Sequence, residues 1–176
     1  MTNGVFQRDE NHVPITQNGL LVEKTISLTA NNETVAVPLF TVTGSVQFIA
    51  LYGVVQETLG SHVTAASWRV NDGSAQPSIS ALAGTTLSGF VAGSTLVRRG
   101  IASVALVASN ASLTALIDPV ASTTPGSFMP FIIIEKNGGP TAIEFRYATT
   151  NTPTTGSITF YAGWVPLTPN ANVTPV

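Results

Sequence analysis

Turn chemistry recurs at intervals of roughly ten residues along this chain, the spacing of an all-β domain, and nothing between the turns has the length and period of a helix. Asn31-Asn32, Gly44, Gly60-Ser61, Asn71-Asp72-Gly73-Ser74, Gly100 and Asn137-Gly138-Gly139-Pro140 all accept turn dihedrals. Leu20 to Thr29 alternates between them, with Leu20, Val22, Ile26 and Leu28 on one parity and Glu23, Thr25, Ser27 and Thr29 on the other. Val35, Val37 and Leu39 open a second strand, in which Pro38 marks an edge or a bulge. Ser45 to Glu57 is apolar on both parities, so it is either buried on both faces or bulged at Gly53. His62 to Val70 reads as a strand, followed by a hairpin signal and a return over Ala75 to Leu82. Leu87 to Leu96 is a loop or short helix, Thr95 to Arg99 and Ile101 to Ala108 are strands broken at Gly100, and Ser112 to Ile117 is a strand or one helical turn. The expected fold is all-β: an antiparallel β-sandwich, or a jelly roll, spanning residues 20–167. Residues 1–19 form an N-terminal arm and 168–176, with Pro169 and Pro175, an extended C-terminal tail.

Phe128 to Leu167 reads as three consecutive antiparallel strands. The turn at Asn137–Pro140 pairs Ile134 with Ile143 and Ile132 with Phe145; the loop from Asn151 to Gly156 pairs Tyr147 with Phe160 and Ile143 with Trp164. These registers put Ile132, Ile134, Ile143, Phe145, Tyr147, Ile158, Phe160 and Trp164 on one inward face. The opposite face carries Phe131, Ile133, Tyr161 and Val165 beside Glu135, Glu144 and Arg146. So apolar a second face is expected to be covered in part by other strands or another subunit.

Composition narrows the function classes. Only 9% of the 176 residues are charged while 44% are hydrophobic, a balance that excludes an intrinsically disordered chain. Two readings of the scarce charge remain open: a monomer solubilised by hydroxyls and amides, or a surface that rests against neighbours. The net charge of −2, with no basic cluster beyond Arg98-Arg99, argues against a nucleic-acid partner. The absence of Cys removes disulfides and thiolate metal sites. No signal pattern opens the chain, and the charge-poor stretches are too interrupted by Gln, Asn, Pro, Ser and Thr to read as membrane spans. The first 19 residues hold Arg8, Asp9 and Glu10, three of the chain's charged side chains. They are either a frayed terminus or an arm that orders against a partner through Val13, Pro14 and Ile15.

No catalytic pattern emerges. His12 and His62 have no partner at metal-ligand spacing, and GxSxG, GxxxxGK[ST] and GxGxxG are all absent. Glu135 and Glu144 would be near-diagonal neighbours on one hairpin face, a spacing compatible with glycoside hydrolysis. The plainer reading pairs Glu144 with Arg146 or Lys136 at a wet edge. Tyr161 beside Phe131, and Trp68 or Trp164 where exposed, offer faces on which a sugar could stack, although strand parity turns Trp164 inward.

Arg8-Asp9-Glu10-Asn11-His12-Val13-Pro14-Ile15 resembles the RD-x-N-x-VP-[IV] opening of structural proteins from tailed bacteriophages. The runs PLFTVTGSVQFIALYGVV, HVTAASWRVNDG and YATTNTPTTGSITFYAGWVPL are similar to small all-β virion proteins, most of all to capsid decoration, or cement, proteins. The resemblance implies a β-sandwich that sits on the capsid of a virion assembled in the host cytoplasm. It would bind the major capsid protein and itself, as dimer or trimer, with no cofactor, nucleic acid or membrane. The expected contact residues are Arg8, Asp9, Val13, Pro14 and Ile15, for the charges and extended segment of the arm, and Phe131 and Tyr161, for the half-polar face of the last strands. The alternative is a tail- or fibre-associated module that binds host glycans.

Overall fold

A computed structural model describes residues 19–60, 62–83, 86–98, 100–109, 130–136, 141–150 and 155–176. Ten strands run through them: β1 (Leu20–Ser27), β2 (Thr34–Thr43), β3 (Ser45–Glu57), β4 (Val63–Asn71), β5 (Thr95–Val97), β6 (Val107–Ser109), β7 (Phe131–Ile134), β8 (Thr141–Thr149), β9 (Ser157–Pro166) and β10 (Asn172–Pro175). They form two antiparallel sheets packed face to face, with no helix among the described residues. The first sheet has the order β1-β9-β3-β5-β6, with β7 beside β3; the second has the order β10-β2-β8-β4. Strands β1 to β4 pass alternately from one sheet to the other, as do β8, β9 and β10. This wraps the sandwich in the manner of a jelly roll.

The β2–β3 corner shows how the chain changes sheets. Gly44 alone separates the two strands, at φ +68°. A Cβ there would come within 2.7 Å of Thr168 Oγ1 and 3.0 Å of the Ala171 backbone, so glycine answers both the dihedral and the close approach. The corner is then tied down: Gly44 N donates to Glu135 Oε2 at 2.8 Å, Glu135 N donates to Gly44 O at 2.7 Å, and Ser45 N donates to Thr168 Oγ1 at 3.1 Å.

The core lies where the inward parities of the two sheets meet. Phe160 of β9 is fully buried and reaches across the sandwich, its ring 4.7 Å from that of Phe145 (β8) and 6.2 Å, edge-on, from Trp68 (β4). Its own sheet makes room for it. Gly53 pairs with Phe160 in register, and a Cβ at Gly53 would stand 2.9 Å from the ring. The bulges of β3 therefore do not fall at Gly53; they lie on either side, between Phe48 and Ala50 and between Val55 and Glu57. Pro38 does mark an irregularity, the register shift between Pro38 and Phe40 in β2.

The C-terminal meander does not form. β7 pairs with β3 in the first sheet, β8 with β2 and β4 in the second, and β9 with β1 and β3 in the first. None of the four expected pairs, Ile134 with Ile143, Ile132 with Phe145, Tyr147 with Phe160 or Ile143 with Trp164, is made. The inward faces of β8 and β9 are nonetheless as expected, with Ile143, Phe145, Tyr147, Ile158, Phe160 and Trp164 all buried. β7 is turned over. Val46 and Phe48 draw Ile133 and Phe131 inward, leaving Ile132 and Ile134 exposed at 58% and 68%. Within the expected C-terminal tail, Asn172–Pro175 pairs with β2 as an edge strand, and Lys24 Nζ donates to Val176 O.

Two substitutions test this packing. Phe160→Ala is expected to cost about 3–5 kcal/mol; at about 2–4 °C per kcal/mol, Tm falls by about 6–20 °C. Gly53→Val, which forces a side chain against the same ring, is expected to cost about 1–3 kcal/mol in chemical denaturation.

Candidate interaction surface

Strand register and the β3 bulge decide which aromatic side chains reach the outside. Before the bulge, Phe48 points into the core and stacks on Phe131 at 5.1 Å between ring centres. The bulge sets Ile49 and Ala50 opposite the single residue Gly163, and parity is thereby reversed: Tyr52 points outward and stacks on Tyr161 at 5.0 Å. The expected pair of Phe131 and Tyr161 on one face is thus split between the two faces of the first sheet. Burial pushes the Tyr52 phenol pKa up, and neighbouring Tyr161 and Glu23 push it further. The two tyrosine rings lie against each other at 19°, so each has one face already occupied. Trp68 and Trp164 are buried and offer no platform to a sugar.

The outer face of the first sheet is apolar over the half nearest Leu21 and β7, and toward the other end it carries Glu23, Thr25 and Thr159. Reading across it, Leu21 (β1) pairs with Gly163 (β9), which faces Ala50 and lies under Ile49; one step along, Val165 pairs with Gln47, and Gln47 with Ile132. Ile134 follows on the same parity of β7. Leu21 and Ile134 are the most exposed large apolar side chains, at 65% and 68%, and Leu20 and Leu167 are exposed at the same end of the sheet. Glu23 is the charged residue at its margin.

The two carboxylates considered for acid–base chemistry are not neighbours on a hairpin face, since β7 and β8 belong to different sheets. Glu135, just past β7, serves the Gly44 corner. Glu144 is buried on the outer side of β8, where Oε2 accepts from Arg69 Nε at 2.6 Å and Oε1 from Asn71 Nδ2 at 2.8 Å. Its partner is therefore Arg69 on the neighbouring end strand, not Arg146 or Lys136, and the carboxylate itself is buried. Arg69 is held in turn by Gln76 Oε1 at 2.6 Å. No group of three or more His, Cys, Asp or Glu side chains capable of holding a metal ion occurs among the described residues.

A cleft of about 360 Å³ opens beside β7, lined by Val70, Ile79, Arg98, Phe131, Ile133 and Lys136 among others. Arg98 is nearly buried at its base; its Nε donates to Ile79 O at 2.8 Å and its guanidinium sits 4.0 Å from the Phe131 ring centre. Burial lowers its pKa to about 10, which leaves it cationic at neutral pH. Phe131, an expected contact residue, is thus committed to this internal stack. At the rim Lys136 Nζ approaches Asp72 Oδ1 at 3.4 Å and donates to Ser74 Oγ.

Of the other expected contact residues, Arg8, Asp9, Val13, Pro14 and Ile15 lie outside the described residues, and Tyr161 is on the outer face. Ile132 and Ile134 were missed by the sequence reading. In a run of three isoleucines after a phenylalanine both parities are apolar, and only the partner strand decides which side faces out.

No protein-family model matches the chain, and no curated protein matches it. Among solved structures it shows a slight likeness to that of the infectious bursal disease virus Gx strain, at 11% identity and a TM-score of 0.24. The match covers 89% of this chain and 39% of that one. This is a weak likeness to a viral structure and goes no further.

Two measurements test the polar ties. Arg69→Ala strands the Glu144 carboxylate and is expected to cost about 3 kcal/mol, while the double replacement by Met and Leu stays close to the parent in stability. Asp72 accepts from Ala75 N and Ser74 N in the turn after β4, and these bonds lower its pKa from 3.8 to about 2. A depressed carboxyl pKa stabilises the fold fully above pH 3.8, and the contribution is lost as pH falls through about 2. A carboxyl-detected NMR titration should show Asp72 ionised well below the pH at which exposed carboxylates protonate; an ordinary midpoint would refute the turn geometry.

Proposed function

We propose that this chain is a non-enzymatic structural protein of a tailed-bacteriophage virion. It sits on the capsid shell, where it binds the major capsid protein and itself and stabilises the head. The observation that carries the reading is the outer face of the first sheet, whose apolar, uncharged half suits the self-binding on which a repeated assembly is built, on a sandwich whose described carboxylates do not converge on the cleft as a catalytic pair. Bracing a shell needs no reaction chemistry. It needs a stiff body, apolar contact area and repetition, because symmetry multiplies a modest contact into high avidity. The all-β wrap, the scarcity of charge and the resemblance of the Arg8–Ile15 segment to phage virion proteins support the same reading.

The decisive genetic test is a phage lacking this protein. Heads should become leaky or fragile while adsorption to the host is normal. Intact heads with lost adsorption would overturn the reading in favour of a glycan-binding tail module. Purified protein lacking residues 1–15 should bind particles more weakly than the full chain, and equal binding would remove the N-terminal arm from the contact.

A further inference from the structure

We infer that the outer face of the first sheet is a self-association face, closing two copies of this chain face to face about a two-fold axis. The inference deepens the self-binding part of the reading above and rests on it; contact with the shell is a separate event. Leu21, Ile49, Val165, Ile132 and Ile134, drawn from four neighbouring strands, share this face, with Tyr52 and Tyr161 stacked at its far end. Monomers rarely leave so apolar a surface to water.

Two features favour a second copy as the occupant. The first is charge. Across the apolar half of the face the polar side chains are the neutral Ser45 and Gln47, so no like charges oppose one another when that half meets itself, as an isologous contact requires. A partner chosen by charge would find little to read. Depletion of charge together with tyrosine is also the composition of an interface core.

The second is area. From Ser45 to Val54 β3 and β9 run about 33 Å; β7 flanks only Ser45–Phe48, β1 only the part from Phe48 onward and β5 only Tyr52–Val54. At the usual strand spacing this gives about 500 Å² per copy and about 1,000 Å² for the pair, the low end of the range, where weak and reversible complexes fall. The face is thus large enough for a reversible dimer.

The test uses the full chain. In sedimentation velocity from about 1 to about 100 µM, the parent protein is expected to pass from monomer to dimer. The double variant Ile132→Asp, Ile134→Asp alters two exposed side chains, so its circular dichroism should match the parent while its dimer Kd rises at least ~100-fold. Because the chain has no Cys, single thiols give an independent readout. Maleimide labelling of Gln47→Cys should slow as protein concentration rises, whereas labelling of Thr64→Cys, on an exposed position of β4, should not.

A parent protein that stays monomeric, a trimer, a dimer undiminished in the double variant, or protection of Thr64→Cys instead would each overturn the inference. A double variant that still dimerises but no longer binds capsid shells would assign the face to the shell protein and overturn it equally. Failure of the shell reading looks different: a dimer that behaves as expected in every assay yet does not bind capsids.

Discussion

The contact between Phe160 and the opposite sheet is the one on which the remainder of the structure depends. Phe160 belongs to the first sheet, Trp68 and Phe145 to the second, and the three rings form the bridge between layers. Among the described residues no helix covers either sheet, and the inner faces bury each other. Gly53 gives the ring its depth, and the bulges on either side let β3 bend around it while keeping register with β9. The same bulge before Ala50 reverses parity along β3, placing Phe48 in the core and Tyr52 outside. Core packing and surface character are therefore set by one local irregularity.

Among the described residues most of the charged side chains are committed within the fold. Glu144 holds Arg69 and Asn71, Glu135 holds the Gly44 corner, Asp72 organises a turn and meets Lys136, and Lys24 reaches the backbone at the chain end. Arg98 packs on Phe131 and binds Ile79 O. Apart from the Asp72 turn, these ties join segments distant in sequence, and several sit where the chain changes sheet or ends. What they leave behind is a first sheet whose outer face is almost without charge. Scarce charge and an apolar exterior are thus two views of the same arrangement.

Strand positions were legible because period-two alternation and turn residues are local signals. β1, β2, β3 and β4 begin and end close to where Asn31-Asn32, Gly44, Gly60 and Asn71-Asp72 put them. Pairing was not legible. The supposed meander joined strands that neighbour one another in sequence, and its two registers agreed only because β8 and β9 each alternate strictly; that agreement says which side faces inward, not which strand lies alongside. β7 had no such alternation, so Ile132 and Ile134 were placed inside. The bulge that separates Phe131 from Tyr161 depends on Gly163 lying opposite Ile49 and Ala50, a relation between segments more than a hundred residues apart in sequence. Likewise, nothing near Glu144 announces Arg69, its partner 75 residues earlier.

The proposed place of this sandwich, against a protein shell, can be seen outright in a cryo-EM reconstruction of the native particle that carries the chain. Density for the two-sheet body repeated over the head lattice is the predicted result. Density confined to the tail, or a particle with none, would contradict it.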